Sequence, residues 1–169
     1  MRKFTIFALL FLALFAFTAI IVMAEEGKEE KPAHEYVGAN KCKMCHKAQF
    51  DSWSETGHAK AFDKLSDEEK AKPECVGCHI TGTMADGTVI NNVECEACHG
   101  PGADYKSPKI MSKKKWAEDP EGYKKMAMDA GLIYPTEENC KKCHKAEGNE
   151  NFKPLDFEKS KGLVHTMGK

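Results

Sequence analysis

The sequence predicts a mainly α-helical chain with extensive irregular structure, folded around prosthetic groups more than around its own side chains. Three observations lead there. All eight cysteines fall in four Cys-x-x-Cys-His motifs, ending in His46, His79, His99 and His144. Beyond an export-like N-terminal segment, Leu, Ile, Val and Phe supply only 17 of 145 residues. That is about 12%, where less than roughly 20% points to a chain that cannot pack a core of its own. Finally, the one stretch with a hairpin pattern is Thr81 to Asn92, so little sheet is expected.

Cys-x-x-Cys-His marks covalent attachment of a c-type haem. The two thiols add to the porphyrin vinyl groups, and the following histidine binds the iron from one face. Other uses of paired cysteines fit less well. Zinc knuckles use paired cysteines without needing a histidine after each pair. A thioredoxin-like pair occurs once, beside a βαβ pattern. A disulfide framework would leave the four histidines unexplained. The reading is therefore four covalently bound c-type haems, each carrying iron. Cys42, Cys45, Cys75, Cys78, Cys95, Cys98, Cys140 and Cys143 bind the cofactors, and His46, His79, His99 and His144 bind the metal. Such a chain is a small multihaem cytochrome c in which the four haems form the core. Without them it cannot offset its ordering entropy and is expected to be unfolded.

In chain order, Met1-Arg2-Lys3 is a short basic start and Phe4 to Met23 is almost wholly apolar. Val22-Met23-Ala24 offers small residues at the positions a signal peptidase reads, so residues 1–24 read as a signal peptide. The apolar run is also long enough to span a bilayer, and an uncleaved anchor is the alternative. Either way the remainder is exported, periplasmic or extracellular. Residues 25–35 read as a polar linker and 36–169 as the tetrahaem domain.

Ala48, Phe50 and Trp53 form an apolar helical stripe after the first motif. The Ser54–Ala59 stretch breaks it and starts another helix, with Ala61, Phe62 and Leu65 on one face. Ser66-Asp67-Glu68-Glu69 is a capping box, and Pro73 is expected to stop that element. Gly100-Pro101-Gly102 forces a turn after the third motif. Lys113 to Leu132 holds one or two short helices, interrupted at Asp119-Pro120 and ended near Gly131. Thr136 caps a helix carrying the fourth motif, and the C-terminus is helical around Phe157 to Leu163.

Ligand counting bears on chemistry. The chain has seven histidines, four of them in motifs, while four haem irons have eight axial positions between them. His34, His58 and His165 are candidates for sixth ligands, and at least one iron must be open, take Met or Lys, or borrow a histidine from another chain. Met84, Met111, Met126 and Met128 are further candidates, although methionine in so poor a core more often packs against a haem face. A closed bis-His iron passes electrons only, whereas an open one can bind a small molecule.

At this point the chain resembles the cytochrome c554-type tetrahaem family. The matching stretches are Tyr36-Val37-Gly38 before the first motif and Trp53 through His58-Ala59. Further matches are the second motif, the Cys-Glu-x-Cys-His-Gly-Pro-Gly run from Cys95 to Gly102, and the fourth motif. The resemblance implies haems stacked in pairs along a continuous electron path. It also implies that His58 completes the haem on His144, that His165 completes the haem on His99, and that the haem on His79 is five-coordinate. The chain departs from the family pattern in that residues 103–139 contain no histidine to complete the haem on His46. His34 has two open roles there: replacing that ligand, or reaching a haem of a neighbouring copy, as in tetrahaem cytochromes that polymerise.

The expected function is electron transport between redox partner proteins, a donor and an acceptor, and not catalysis. The alternatives are a reductase of nitric oxide or hydroxylamine at an open haem on His79, and a filament-forming subunit. Beyond residue 24 the balance is 23 Lys against 26 Asp and Glu, which gives no support for nucleic-acid binding. Membrane association would come only through an uncleaved N-terminal segment. Lys113-Lys114-Lys115 and Lys141-Lys142 read as solvated surface that offsets the haem propionates, or as docking sites for an acidic partner.

Overall fold

The computed structural model describes residues 34–145, 147–149 and 152–167. The signal segment and residues 25–33 of the linker lie outside the described residues. Among the described residues, no helix is long and apolar enough to cross a membrane.

The architecture is a string of short helices and one hairpin. Each haem motif starts in, or lies within, a helical turn: Ala39–Lys43, Pro73–Val76, Cys95–His99 and Glu137–Lys141. Lys47–Ser54 carries the apolar stripe and buries Trp53. Where a second helix was expected there are two 3-10 turns, His58–Lys60 and Phe62–Lys64, and Ala61 and Leu65 are buried beside them. Tighter turns suit this segment because its backbone groups are drawn away sideways. Val93 N–H donates to the His58 carbonyl at 3.1 Å, and Phe62 N–H donates to Asn92 Oδ1 at 2.8 Å.

The Ser66 capping box is formed in full at the start of Asp67–Lys70. The capped helix ends at Lys70, short of Pro73 as expected, and Pro73 in addition occupies the first position of the helix Pro73–Val76, where its missing N–H costs nothing. β1 (Ile80–Thr83) pairs antiparallel with β2 (Val89–Asn91), with Thr83 opposite Val89 and an irregularity between Ile80 and Gly82. Thr81 ties this hairpin to the third motif, donating to the Asn92 carbonyl at 2.8 Å and accepting Glu94 N–H at 2.7 Å.

Asp119 accepts Gly122 N–H, separating helices Lys113–Glu118 and Pro120–Asp129, and Gly131 follows in the left-handed region. Thr136 and Asn139 form the cap of Glu137–Lys141. Phe157–Ser160 runs on into a 3-10 turn at Lys161–Leu163.

Among the described residues the buried apolar set is Ala39, Trp53, Ala61, Leu65, Ile90, Tyr105 and Ala127. Three of these are alanines, so protein side chains alone form no continuous core. The space they leave is lined by motif residues.

Candidate functional site

Two of the expected histidine pairs meet in space. The rings of His58 and His144 have centroids 5.9 Å apart, and those of His99 and His165 are 6.1 Å apart. A metal–imidazole bond is about 2 Å long, so two rings bound to opposite faces of one metal have centroids roughly 6 Å apart. Neither pair is close in sequence. His58 is separated from His144 by two haem motifs, and His165 lies near the C-terminus.

Several contacts place these rings. Trp53 donates its indole N–H to the Val93 carbonyl at 2.9 Å, and Val93 N–H holds the His58 carbonyl, so the hairpin exit fixes the His58 turn. Thr56 bonds the Trp53 carbonyl through both backbone and hydroxyl, turning the chain between the two residues. His165 is set by the next residue: Thr166 N–H donates to Ser52 Oγ at 2.7 Å, binding the C-terminal segment to the helix of Trp53.

The ring tautomers suit ligation. His79 Nδ1 lies 2.6 Å from the Ala61 carbonyl, His99 Nδ1 3.2 Å from the Ile133 carbonyl, and His165 Nδ1 2.9 Å from the Thr166 carbonyl. A carbonyl only accepts, so Nδ1 carries the proton and Nε2 presents a lone pair, as metal-binding histidines require. Burial holds both His58 and His99 below the ordinary histidine range, with His144 and Lys64 adding to the effect at His58. At His99 the Ile133 hydrogen bond offsets part of the shift, while His165 and His46 deepen it. Both rings are neutral at pH 7, the form that binds metal.

Seven motif and partner residues, among them His58, Cys78, His79, Cys140 and His144, line a cavity of about 540 Å³. Leu155, Phe157, Leu163 and Val164 of the C-terminal segment form another wall. The motif thiols also neighbour one another across elements. Cys95 hydrogen-bonds Cys42 and holds its thiol below the ordinary range, while Cys95 itself is pushed up. Burial, then a hydrogen bond with Cys78, pushes the Cys143 thiol up to about 12. Burial raises Cys98 as well, with Cys140 within electrostatic reach. These neighbours link the first motif to the third, the third to the fourth and the fourth to the second.

Thiol pairs, histidines with free Nε2 atoms, ring gaps of two metal–nitrogen bonds and a lined cavity together fit c-type haem. His34 stands apart from both ring pairs. Its Nδ1 lies 2.6 Å from Asp104 Oδ2 and its ring rests against Gly131. The first motif is the most open, with Cys45, His46 and Met44 all exposed. Met126 and Met128 are about half exposed.

Sequence reasoning missed the groups that hold the motifs in place: Asp104, the carbonyls of Ala61 and Ile133, and the carboxylates of Glu94 and Glu96. Glu96 is the most buried charged side chain among the described residues, at 1% exposure. Its position inside the third motif was the available signal.

Comparison with known proteins finds similar chains among the cytochromes c554. Residues 41–100 match the family model described as cytochrome c554 and c-prime. The chain is 33% identical to cytochrome c-554 of Nitrosomonas europaea over 136 aligned positions, covering 64% of this chain and 57% of that protein. It thus spans a little over half the length of that curated relative. The solved structure of reduced cytochrome c554 from the same organism superposes with a TM-score of 0.57 at 24% identity, covering 80% of this chain and 85% of that one.

Proposed function

We propose that this chain, a tetrahaem c-type cytochrome with the cytochrome c554 fold, carries electrons between redox partner proteins on the outer side of the cell membrane. Each haem supplies, when bound, an iron that takes up and releases one electron. The chain's residues do the rest. The motif cysteines set where each group sits, and the thiol neighbours give one continuous series from the first motif to the second. His144 with His58, and His99 with His165, would hold two of the haem irons. The Ala61 and Ile133 carbonyls hold His79 and His99 in the ligating tautomer. The observation that carries this reading is the pair of histidine ring gaps near 6 Å.

The first motif is the proposed port for a partner. Met44 is 79% exposed, beside exposed Lys41, Lys43 and Lys47. An apolar tip within a basic collar suits an acidic redox protein. The export-like N-terminus and c-type attachment support an exported location. His34, held by Asp104, is proposed to complete the haem on His46 or to ligate a haem in a second copy.

A reductase of nitric oxide or hydroxylamine at His79 is the second reading. It is favoured by the histidine count, which cannot fill eight axial positions, and by the place of His79 on the cavity wall. Stopped-flow mixing of reduced holoprotein separates the two. Rapid reoxidation by a second cytochrome without turnover of hydroxylamine or nitric oxide supports the carrier. Catalytic consumption of either molecule would overturn it in favour of the reductase.

A further inference from the structure

Glu94 and Glu96 do work that haem attachment does not require. Glu96 Oε1 accepts Val37 N–H at 3.0 Å and Gly102 N–H at 2.6 Å. Its Oε2 accepts Val37 N–H at 3.1 Å and Gly38 N–H at 2.7 Å. Glu94 Oε2 accepts Ala39 N–H at 2.7 Å. The consecutive N–H groups of Val37, Gly38 and Ala39, at the entry to the first motif helix, therefore end on two carboxylates from the third motif. That helix has no side-chain cap of its own, because its N-cap residue is Gly38. Its cap is supplied from 55 to 59 residues away.

Neighbouring contacts run the same way. Ala103 N–H bonds the Glu35 carbonyl at 3.1 Å, and Cys42 hydrogen-bonds Cys95. Tyr105, also buried, donates to the Gly100 carbonyl at 2.9 Å. Its hydroxyl is pushed up chiefly by burial. Every polar partner named here for Glu96 is a backbone N–H, so both of its oxygens act as acceptors, the role of a carboxylate held by backbone dipoles.

We propose that Glu96, assisted by Glu94, is a positioning residue that locks the first haem site against the third, and that its buried negative charge lowers the reduction potentials of that pair relative to the pair on His79 and His144. Reduction of a ferric site adds one electron and one unit of negative charge. A fixed carboxylate nearby, screened by little water, opposes that addition. The inference rests on the tetrahaem carrier reading. It gives the electron path a slope, with electrons favoured toward the His79 and His144 end.

Spectroelectrochemical titration of the holoprotein and of Glu96→Gln, Glu96→Asp and Glu94→Gln tests this, with four haems per chain checked in each sample by haemochrome absorbance. In Glu96→Gln, two of the four transitions are expected to move to higher potential and two to stay. Glu96→Asp keeps the charge and is expected to keep potentials close to the parent. Four unmoved transitions in Glu96→Gln overturn the proposal, as does an equal shift in Glu96→Asp. If Glu96→Gln does not mature with four haems, Glu94→Gln decides: a rise in two of the four transitions supports the proposal and no rise overturns it. Failure of the parent protein to cycle reversibly would instead sink the carrier reading.

Discussion

At the scale of single residues, two kinds of constraint differ in how far sequence exposes them. Covalent attachment fixes thiol spacing to the porphyrin edge, so the eight cysteines and four motif histidines are legible directly. His58 and His165 are legible only through family resemblance, and their rings lie 5.9 and 6.1 Å from those of His144 and His99. Glu96 was not legible, because its partners are backbone N–H groups, which carry no residue identity, and three of its four contacts lie 58 or 59 residues away. Replacing His58 by Ala is expected to leave four haems attached and convert one from low-spin to high-spin. The ferric EPR spectrum reads this directly, and His165→Ala is expected to do the same for a different haem.

Gly102 shows why the Gly-Pro-Gly turn follows the third motif. A Cβ there would lie 3.0 Å from Glu96 Oε1 and 3.4 Å from Val37 Cγ2. Gly100 has a separate reason: its φ is +75° and a Cβ would run into the Gly131 carbonyl. Gly102→Ala is expected to cost about 1–3 kcal/mol by disturbing the buried carboxylate, measured as lowered thermal stability of the holoprotein.

At the scale of elements, local signals were reliable where they named their own partner. The Ser66 box, the Asp119-Pro120 break, the Gly131 stop and the Thr136 cap are all present. Residues 58–64 were misread as one helix because the apolar spacing of Ala61, Phe62 and Leu65 fits a tight turn as well as an α-helix. Long-range bonds from Asn92 and Val93 decided the matter. Pro73 has a second role that its sequence reading lacks, opening the helix Pro73–Val76, because proline ends one element and begins another with equal ease. The hairpin matters through Thr81, which is buried and bonded to both Asn92 and Glu94. Thr81→Val removes the hydroxyl that bonds two part-buried backbone groups and is expected to cost about 1–3 kcal/mol, read by thermal unfolding.

At the scale of the whole molecule, seven buried apolar residues among those described cannot account for a stable chain. The haem-free polypeptide is expected to show an unfolded far-UV circular dichroism spectrum with no cooperative melt. The proposed port predicts a charge effect as well. Reversing Lys41, Lys43 and Lys47 to Glu is expected to slow electron exchange with an acidic flavoprotein donor about tenfold or more at low salt. The parent rate should fall as salt rises.

The central claim is that the chain closes haem sites by pairing histidines distant in sequence. Ferric EPR of the holoprotein, integrated against four haems per chain, tests it most directly. At least two low-spin bis-histidine haems per chain are expected, one lost on replacing His58 and another on replacing His165. Fewer than two such signals, or signals unchanged in both variants, would contradict it.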